Sequence, residues 1–420
     1  MSEPQSSDAQ AVAPGALARL KVLDLSRVLA GPWCTQILGD LGAEIIKIEQ
    51  PGQGDDTRRW GPPFLPDGSR DSAYYLCANR NKRSIAIDLA APEGADLIRR
   101  LAAECDIVVE NFRVGGLVKY GLDYKSLAAI NPRLIYCSIT GFGQDGPYKD
   151  RGGYDFLIQG MSGVMSVTGR PDGEPGGGPL KVGIPISDLS TGLYAAISVL
   201  AALNHRNVTG QGQHIDLALL DTQVALLANQ ASNWLNGGLM PKRLGNEHPN
   251  TVPYQDFYCS DGEVLVALGN DRQFTAFCKF LGLPELATDP RFADSAGRST
   301  NRKALQAQIG PAIAKWKSAD FLAAMDAAKL PGGKVNEIPE ILEDPQILAR
   351  GLIKTMSRSD GTGVKVLGFP GKFSETPARY DRAPPRSGED TVDVLGGLLR
   401  LDPEEIARLK AAGVIAESLS

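Results

Sequence analysis

The sequence predicts an α/β protein with a doubly wound parallel sheet in a large domain and with a second, smaller α+β domain. The chain of 420 residues is too long for one ordinary compact core. Short apolar strands alternate with amphipathic helices through its first half, as in a parallel sheet covered by helices. From about residue 237 this alternation ends, and a hairpin followed by short helices is indicated.

The elements of the first half follow one another in the order that a parallel sheet requires. The sequence predicts strands at Lys21–Leu25, Glu44–Glu49, Asp106–Glu110 and Leu134–Ile139, and helices at 31–41 and 92–105. Polar or small residues follow three of the strands, at Ser26–Arg27, Asn111–Phe112 and Thr140–Gly143. Ligands of such sheets bind beyond the carboxyl ends of the strands, so we expect the functional site there. No Gly-x-Gly-x-x-Gly run opens the first helix, which disfavours a dinucleotide site.

The domain boundaries follow from changes in composition and periodicity. We predict a disordered lead-in at 1–17, the first part of the large domain at 18–230, the small domain at 237–342, and a return to the large domain at 343–420. A helical pattern is expected from His214 to Trp234. In the small domain, Asp256–Leu268 is expected to form a hairpin that turns at Asp261 and Gly262.

Composition excludes several classes of function. The formal net charge is −5, and no lysine- or arginine-dense stretch exists to follow a nucleic-acid backbone. No apolar run approaches the roughly 20 residues that cross a membrane. The six cysteines are scattered without a C-x-x-C pair, and the three histidines have no metal-ligand spacing. We therefore expect a cytoplasmic protein without a metal site, nucleic-acid partner or membrane partner.

Asp188 stands out because it directly precedes a long apolar helical pattern, Leu189–Leu203. Unpaired backbone N–H groups and the helix dipole favour an anion at a helix N-terminus. One interpretation is that Asp188 only caps this helix. The other is that it is a carboxylate nucleophile whose covalent adducts form among those N–H groups.

Seven sequence runs, in order, resemble the class III CoA-transferase family, which also includes α-methylacyl-CoA racemases. The runs are Leu20–Pro32, Leu38–Glu49, Gly54–Arg58, Asn79–Ile85, Val109–Phe112, Ser138–Gly143 and Thr209–Gln213. The resemblance continues to the C-terminus. It implies a Rossmann-like large domain built from both chain ends, a smaller middle domain, and an interlocked homodimer of ring-like subunits.

The resemblance also implies the residues of the site. The family's nucleophilic aspartate falls on Asp188, which attacks an acyl-CoA without a prosthetic group. The implied CoA-binding residues are Arg27, Val28, Leu29, Ala30, Ile87, Asn111, Phe112 and Lys119, with Arg113 as a further phosphate partner. Backbone N–H groups near Leu29–Ala30 and in Gly141–Gly143 are candidate oxyanion donors, although the glycines alone would also suit tight turns. Gln50 and Ala90 replace basic residues that some members use for CoA.

The resemblance further suggests the substrates, acyl-CoA and a small carboxylic acid. Gly54–Phe64, Asn79–Lys82 and Val252–Gln255 are similar to runs in transferases that use succinyl-CoA and a dicarboxylate such as glutarate. Arg58 or Arg80 could bind the distal carboxylate, or could pair structurally with an acid. Tyr154, Gly141 and Gly143 are the other candidate substrate-binding residues.

Two other functions remain open from the sequence, a racemase and a non-catalytic CoA-binding protein. Racemases of the family carry a catalytic histidine where this chain has Tyr154, a poor base at neutral pH. Tyr154 therefore favours the transferase, and Asp188 disfavours a non-catalytic protein.

Overall fold

The computed structural model of the protein describes residues 14–417. Residues 1–13 of the predicted lead-in at 1–17 lie outside the described residues. Its last part was predicted wrongly, because Leu17 is a buried core residue and its N–H donates to the Leu41 carbonyl at 2.9 Å. Leu17 thus belongs to the packed domain and not to the lead-in.

The strands in the described residues are β1 Lys21–Asp24, β2 Glu44–Glu49, β3 Lys82–Ile87, β4 Ile107–Glu110, β5 Ile135–Thr140, β6 Gln213–Ala218, β7 Tyr254–Tyr258, β8 Glu263–Ala267, β9 Gly332–Gly333, β10 Ile353–Ser357, β11 Gly363–Leu367 and β12 Ile415–Ala416. Seven of them form the main sheet, in the order β12-β3-β2-β1-β4-β5-β6. All neighbours in the main sheet are parallel except β12, which runs antiparallel to β3. The order β3-β2-β1-β4-β5-β6 is that of a dinucleotide-type doubly wound sheet, with its switch point between β1 and β4.

Helices connect these strands and form most of the remaining structure. They are α1 Ala30–Asp40, α2 Ala73–Leu76, α3 Pro92–Ala103, α4 Tyr124–Ile130, α5 Asp155–Met161, α6 Val164–Val167, α7 Ile186–Thr209, α8 Leu219–Ala225, α9 Ala228–Gly237, α10 Asp271–Phe280, α11 Ser295–Thr300, α12 Arg302–Ile313, α13 Ser318–Ala327, α14 Ile338–Leu342, α15 Pro345–Arg350, α16 Thr391–Leu398 and α17 Pro403–Ala411. Single 3₁₀ turns occur at Asp56–Arg59, Val118–Tyr120 and Pro284–Ala287.

Successive residues of the central strands face two separate cores. Val22 packs in the core that contains α1 and α7, whereas Leu23 packs in the core that contains α3, α4, α16 and α17. Val108 and Val109 divide between the cores in the same way. Both faces of the sheet are therefore covered by helices, which confirms the predicted doubly wound α/β class.

The chain divides into two compact units. The first contains the described residues up to Ser162, Gly183–Leu226 and the residues from Leu348 onward. The second contains Gly163–Val182 and Leu227–Ile347. Residues 163–182, which we assigned to the large domain, thus group with the second unit. The C-terminal segment belongs to the first unit, where β12 extends the main sheet.

Two local predictions had different outcomes. The hairpin turning at Asp261 and Gly262 is present as β7 and β8. The helical pattern expected from His214 to Trp234 is wrong at its start, because Gln213–Ala218 forms strand β6 at the edge of the main sheet. Helix begins only at Leu219.

Helix α7 is long and apolar enough to cross a membrane by length and composition, with a mean hydropathy of 1.5. The sequence prediction that no such stretch exists was therefore wrong. Within the protein, Ala195, Ala196, Val199 and Ala202 of this helix are buried in the core beside α1. These contacts are those of a core helix, whose first turn carries Asp188.

Candidate active site

A cavity of about 450 Å³ lies at the switch point of the main sheet, beyond the ends of β1 and β4. Ten of the residues predicted from the sequence line it: Arg27, Val28, Leu29, Ala30, Asn111, Phe112, Arg113, Gly141, Tyr154 and Asp188. They come from loops after three neighbouring strands and from the start of α7. The fold therefore brings together residues that are far apart in the chain, from Arg27 to Asp188, at the place where such sheets bind ligands.

Asp188 lies in the first turn of α7 and does not cap that helix. The N-cap position is Pro185, and the carboxylate that accepts from the helix N-terminus belongs to Asp155. Asp155 Oδ1 is 2.8 Å from the Ser187 N–H and 3.4 Å from the Asp188 N–H. The Asp188 carboxylate itself accepts no hydrogen bond from residues 14–417. Capping and presentation of a free carboxylate are thus done by two different aspartates.

The surroundings of Asp188 favour its protonated form. The pKa of Asp188 is raised to about 7. Burial is the larger cause, and the negative charge of Asp155 is the smaller one. A carboxylate with this pKa is a stronger nucleophile than an ordinary surface aspartate, because nucleophilicity increases with basicity. It must lose its proton before it attacks a carbonyl.

Replacing Asp155 with asparagine is expected to shift the pH dependence of the reaction. The wild-type kcat/KM should rise as pH increases through about 7, since Asp188 reacts as the anion. Asp155→Asn keeps the oxygen that accepts from Ser187 but removes the negative charge, so the acid limb should move to lower pH. Rate profiles between pH 5 and 9 measure this shift. Asp145→Asn, at an exposed position, is the control, and an unmoved limb in Asp155→Asn would contradict the assignment.

Two unpaired backbone donors lie in the wall of the cavity. Leu29 and Ala30 are buried at the start of α1, and their N–H groups have no acceptor within residues 14–417. Buried N–H groups of this kind are usually paired, so a ligand oxygen is their natural partner. Gly143, predicted as a further donor, does not line the cavity, and its N–H donates to Thr140 Oγ1 at 2.9 Å. Gly141 does line it.

A second cavity of about 200 Å³ shares Arg27 and Phe112 with the first. Ile87 lines this second cavity, as do Gln50 and Ala90, the two positions without the basic residues of other family members. Lys119 lines neither cavity; its Nζ lies 4.6 Å from the ring centroid of Tyr120, which lines the smaller one. The two cavities together are lined by all the predicted CoA-binding residues except Lys119.

Arg58 and Arg80 are not in the Asp188 cavity. The Arg58 guanidinium donates to Glu49 at 2.6 and 2.8 Å, to Asp71 at 2.8 Å and to the Tyr75 hydroxyl at 2.6 Å. Arg80 forms a two-point contact with Asp40. Both side chains are buried and paired with acidic residues, as in the interpretation that they pair structurally with an acid. Within this chain neither presents a free guanidinium to a substrate.

The structure adds three residues that the sequence did not single out. Lys149 and Arg151 line the cavity and bring positive charge to it, and Asp155 orders the start of α7. Lys149 and Arg151 stand two positions apart just before Gly152, and this pair of basic residues is the sequence feature that could have indicated them. In the described part of the chain, no group of three or more His, Cys, Asp or Glu side chains could hold a metal ion.

Comparison with known proteins identifies the family. The family model described as CoA-transferase family III matches residues 17–391. A succinate–glutarate CoA-transferase of Agrobacterium fabrum is 48% identical over 91% of this chain and 95% of its own length. A succinyl-CoA:glutarate CoA-transferase of Mus musculus is 41% identical over 99% and 93%.

A solved structure gives the same result. The crystal structure of a CAIB/BAIF family protein from Brucella suis superposes with a TM-score of 0.80 at 48% identity, covering 92% of this chain and all of that one. The chain belongs to CoA-transferase family III, which confirms the resemblance recognised in the sequence.

Proposed function

We propose that the protein transfers CoA from succinyl-CoA to a small dicarboxylic acid such as glutarate. The observation that carries the proposal is the Asp188 carboxylate, which is unpaired in the described chain and lies in a cavity with two unpaired backbone donors. The names of the relatives support the choice of donor and acceptor. Arg27, Arg113, Lys149 and Arg151 supply cations for the phosphates of CoA.

The transfer uses only carboxylate and thiolate attack on carbonyl carbons. An Asp188 oxygen attacks the carbonyl carbon of the donor thioester, and the C–S bond breaks. CoA leaves as a thiolate, and a mixed anhydride between Asp188 and the acyl group remains. The thiolate then attacks the aspartyl carbonyl, which releases the donor acid and leaves an aspartyl-CoA thioester. The acceptor carboxylate attacks that thioester and forms a second anhydride. Attack of the thiolate on the acceptor carbonyl yields the new acyl-CoA and restores Asp188.

Each of these steps passes through a tetrahedral oxyanion. The N–H groups of Leu29 and Ala30 are the donors we assign to it, because they are buried, unpaired and in the wall of the same cavity as Asp188. One such donor contributes on the order of 3 kcal/mol to transition-state stabilisation.

Oxygen isotopes test both the activity and the route. The protein is incubated with succinyl-CoA and glutarate labelled with ¹⁸O in its carboxylates, and mass spectrometry follows acyl-CoA and free acids. We expect glutaryl-CoA to form and ¹⁸O to appear in released succinate, because Asp188 receives one acceptor oxygen and passes it on in the next turnover. Glutaryl-CoA without ¹⁸O in succinate would reject the anhydride route, and an unchanged succinyl-CoA pool would reject the transferase with this donor.

A racemase is the alternative, since the family also contains racemases. It would incorporate solvent deuterium at the α-carbon of a 2-methylacyl-CoA without any acceptor acid. Tyr154 stands in place of the second acid–base residue and its side chain is 71% exposed, so the cavity offers no buried second base at this position.

We also propose that the protein is a cytoplasmic homodimer. In the first unit, α5 and α7 expose large apolar side chains, among them Phe156, Leu157, Leu193 and Ile197. A patch of this kind is typical of a subunit interface. Sedimentation equilibrium of the purified protein measures the subunit number, and fractionation of cells measures the location.

A further inference from the structure

The loop after β1, which carries Arg27 to Leu29 into the cavity, is held almost entirely by side chains from elsewhere. The Ser26 N–H donates to Asp24 Oδ1 at 3.0 Å, and the Ser26 carbonyl accepts from Lys47 Nζ at 2.9 Å. The Arg27 N–H donates to Asn111 Oδ1 at 2.9 Å, and the Arg27 carbonyl accepts from Asn111 Nδ2 at 2.7 Å. Every backbone polar group from Ser26 N to Arg27 O is thus fixed.

The next residue, Val28, has an unusual backbone conformation. Its φ is +70°, in the left-handed region. Of the non-glycine residues with positive φ in the described chain, Val28 alone is β-branched. A β-branched residue is strongly disfavoured there, so it persists only where the surroundings hold it. The Val28 N–H points at both oxygens of Asp55, at 3.3 and 3.4 Å.

Asp55 is itself held in place as an anion. Its Oδ2 accepts from Lys47 Nζ at 2.9 Å, and both side chains are fully buried. Burial alone would raise its pKa, but Lys47 and the bonds from Thr57 outweigh burial and lower the pKa of Asp55 to about 2. Lys47 therefore links Asp55 beneath Val28 to the carbonyl of Ser26.

The conformation of Val28 decides where the following N–H groups point. Leu29 and Ala30 come directly after it, and their unpaired N–H groups are the oxyanion donors assigned above. Gly31 packs closely against Ser26, since a Cβ at Gly31 would lie 2.3 Å from the Ser26 side chain. This close packing limits other conformations of the loop between them. A return of Val28 to negative φ would therefore turn these donors away from the cavity that contains Asp188.

We propose that Asp55, backed by Lys47, is a positioning residue that keeps Val28 left-handed and so aims the Leu29 and Ala30 N–H groups at the reacting carbonyl. The proposal rests on the transferase function proposed above. Asp55 also lines the smaller cavity, but its side chain is fully buried against Lys47, so we assign it a role through the backbone of Val28 and not a contact with substrate. Asn111 acts in the same way on the preceding residue, Arg27.

The test combines loss of an anchor with a change of the strained residue. Asp55→Asn is made with Val, Ala or Gly at position 28, where Ala and Gly are both small but Gly alone adopts positive φ freely. With Val or Ala at 28, Asp55→Asn should lower kcat by roughly 10²-fold, the cost of a misdirected oxyanion donor. With Gly at 28 the loss should shrink at least about tenfold, because the left-handed conformation no longer opposes the fold. The Kd for CoA should change much less than kcat.

Asn111→Ala provides the second series, since it removes both anchors of Arg27 without leaving a buried charge unpaired. It decides the matter if Asp55→Asn fails to fold, and the same dependence on residue 28 is expected. Equal losses with Val, Ala and Gly in both series, or a loss confined to Kd, would overturn the proposal.

Crystal structures of the variants separate this proposal from the proposed function. If Asp55→Asn or Asn111→Ala leaves Val28 at positive φ, the positioning role is wrong even where the wild type transfers CoA. If the wild type transfers nothing, the transferase function is wrong, and the φ of residue 28 still shows whether the two side chains hold the loop.

Discussion

Replacing Asp188 with asparagine is expected to lower kcat by at least about 10³-fold, because the amide cannot form the anhydride. The substitution preserves the shape of the side chain, and Asp155 continues to cap α7. The carboxylate of Asp188 accepts no hydrogen bond from the described residues, so its replacement breaks no internal hydrogen bond. The Kd for CoA should therefore remain within a few-fold of wild type, as measured by calorimetry.

The same variant should be more stable than wild type at alkaline pH. The folded-state pKa of Asp188 is raised to about 7, so the folded protein binds this proton more tightly than the unfolded chain. Between the ordinary carboxyl pKa and pH 7 this group makes stability fall as pH rises, and the neutral amide removes that loss. The gain in Tm should be larger at pH 8 than at pH 5. Asp96→Asn, in an exposed ion pair, is the control for both measurements, and retained turnover in Asp188→Asn would reject the nucleophile.

Replacing Arg58 with methionine is expected to cost about 3–5 kcal/mol of folding free energy. Its guanidinium is buried between Glu49 and Asp71 and lies over the ring of Tyr75, whose centroid is 3.7 Å from Cζ. Methionine matches much of the side-chain volume but leaves the buried Glu49 carboxylate without its ion-pair partner and leaves Asp71 paired with Arg358 alone. Urea unfolding followed by circular dichroism measures the loss.

The neighbouring residue supplies a matched control. Arg59 pairs with Asp56 at the surface, where both side chains are about half exposed, so Arg59→Met should change stability by less than about 1 kcal/mol. A variant Arg58→Met that kept its stability but raised the KM for the acceptor acid would restore the substrate-binding interpretation of this residue.

Four of the seven strands of the main sheet, β1, β2, β4 and β5, were predicted, because strands that are buried on both faces form short continuous apolar runs. The sequence analysis did not predict β3 or β12. Runs such as Glu44–Glu49 and Ile107–Glu110 are almost continuously buried, which gives a strong apolar signal bounded by turns. Strand β6 lies at the sheet edge, and only Ala218 in it is buried. Its polar and apolar residues show no distinct strand period, and helical patterns lie on both sides of it. A helix was therefore predicted from His214 in place of the strand.

The site divides in the same way between local and distant signals. Asp188 precedes an apolar helix, and Asn111 follows a buried strand, so position along the chain identifies both. The role of Arg58 depends on Asp71 and on the carbonyl of Pro385, which folding alone brings to it. The positive φ of Val28 depends on Asp55 and Asn111, and no motif in one sequence shows that dependence.

The first unit draws its last strand and several buried partners from the end of the chain. Ile415 pairs with Ile87 at the sheet edge, and Arg358 donates to the same Asp71 that Arg58 contacts, at 2.6 Å. Residues as far along the chain as Ile415 must therefore leave the ribosome before these early segments find their partners. During synthesis the nascent sheet carries an open edge and unsatisfied charge, both of which favour aggregation or chaperone capture. A truncation before Ile415 would remove β12 and leave the edge of β3 unpaired.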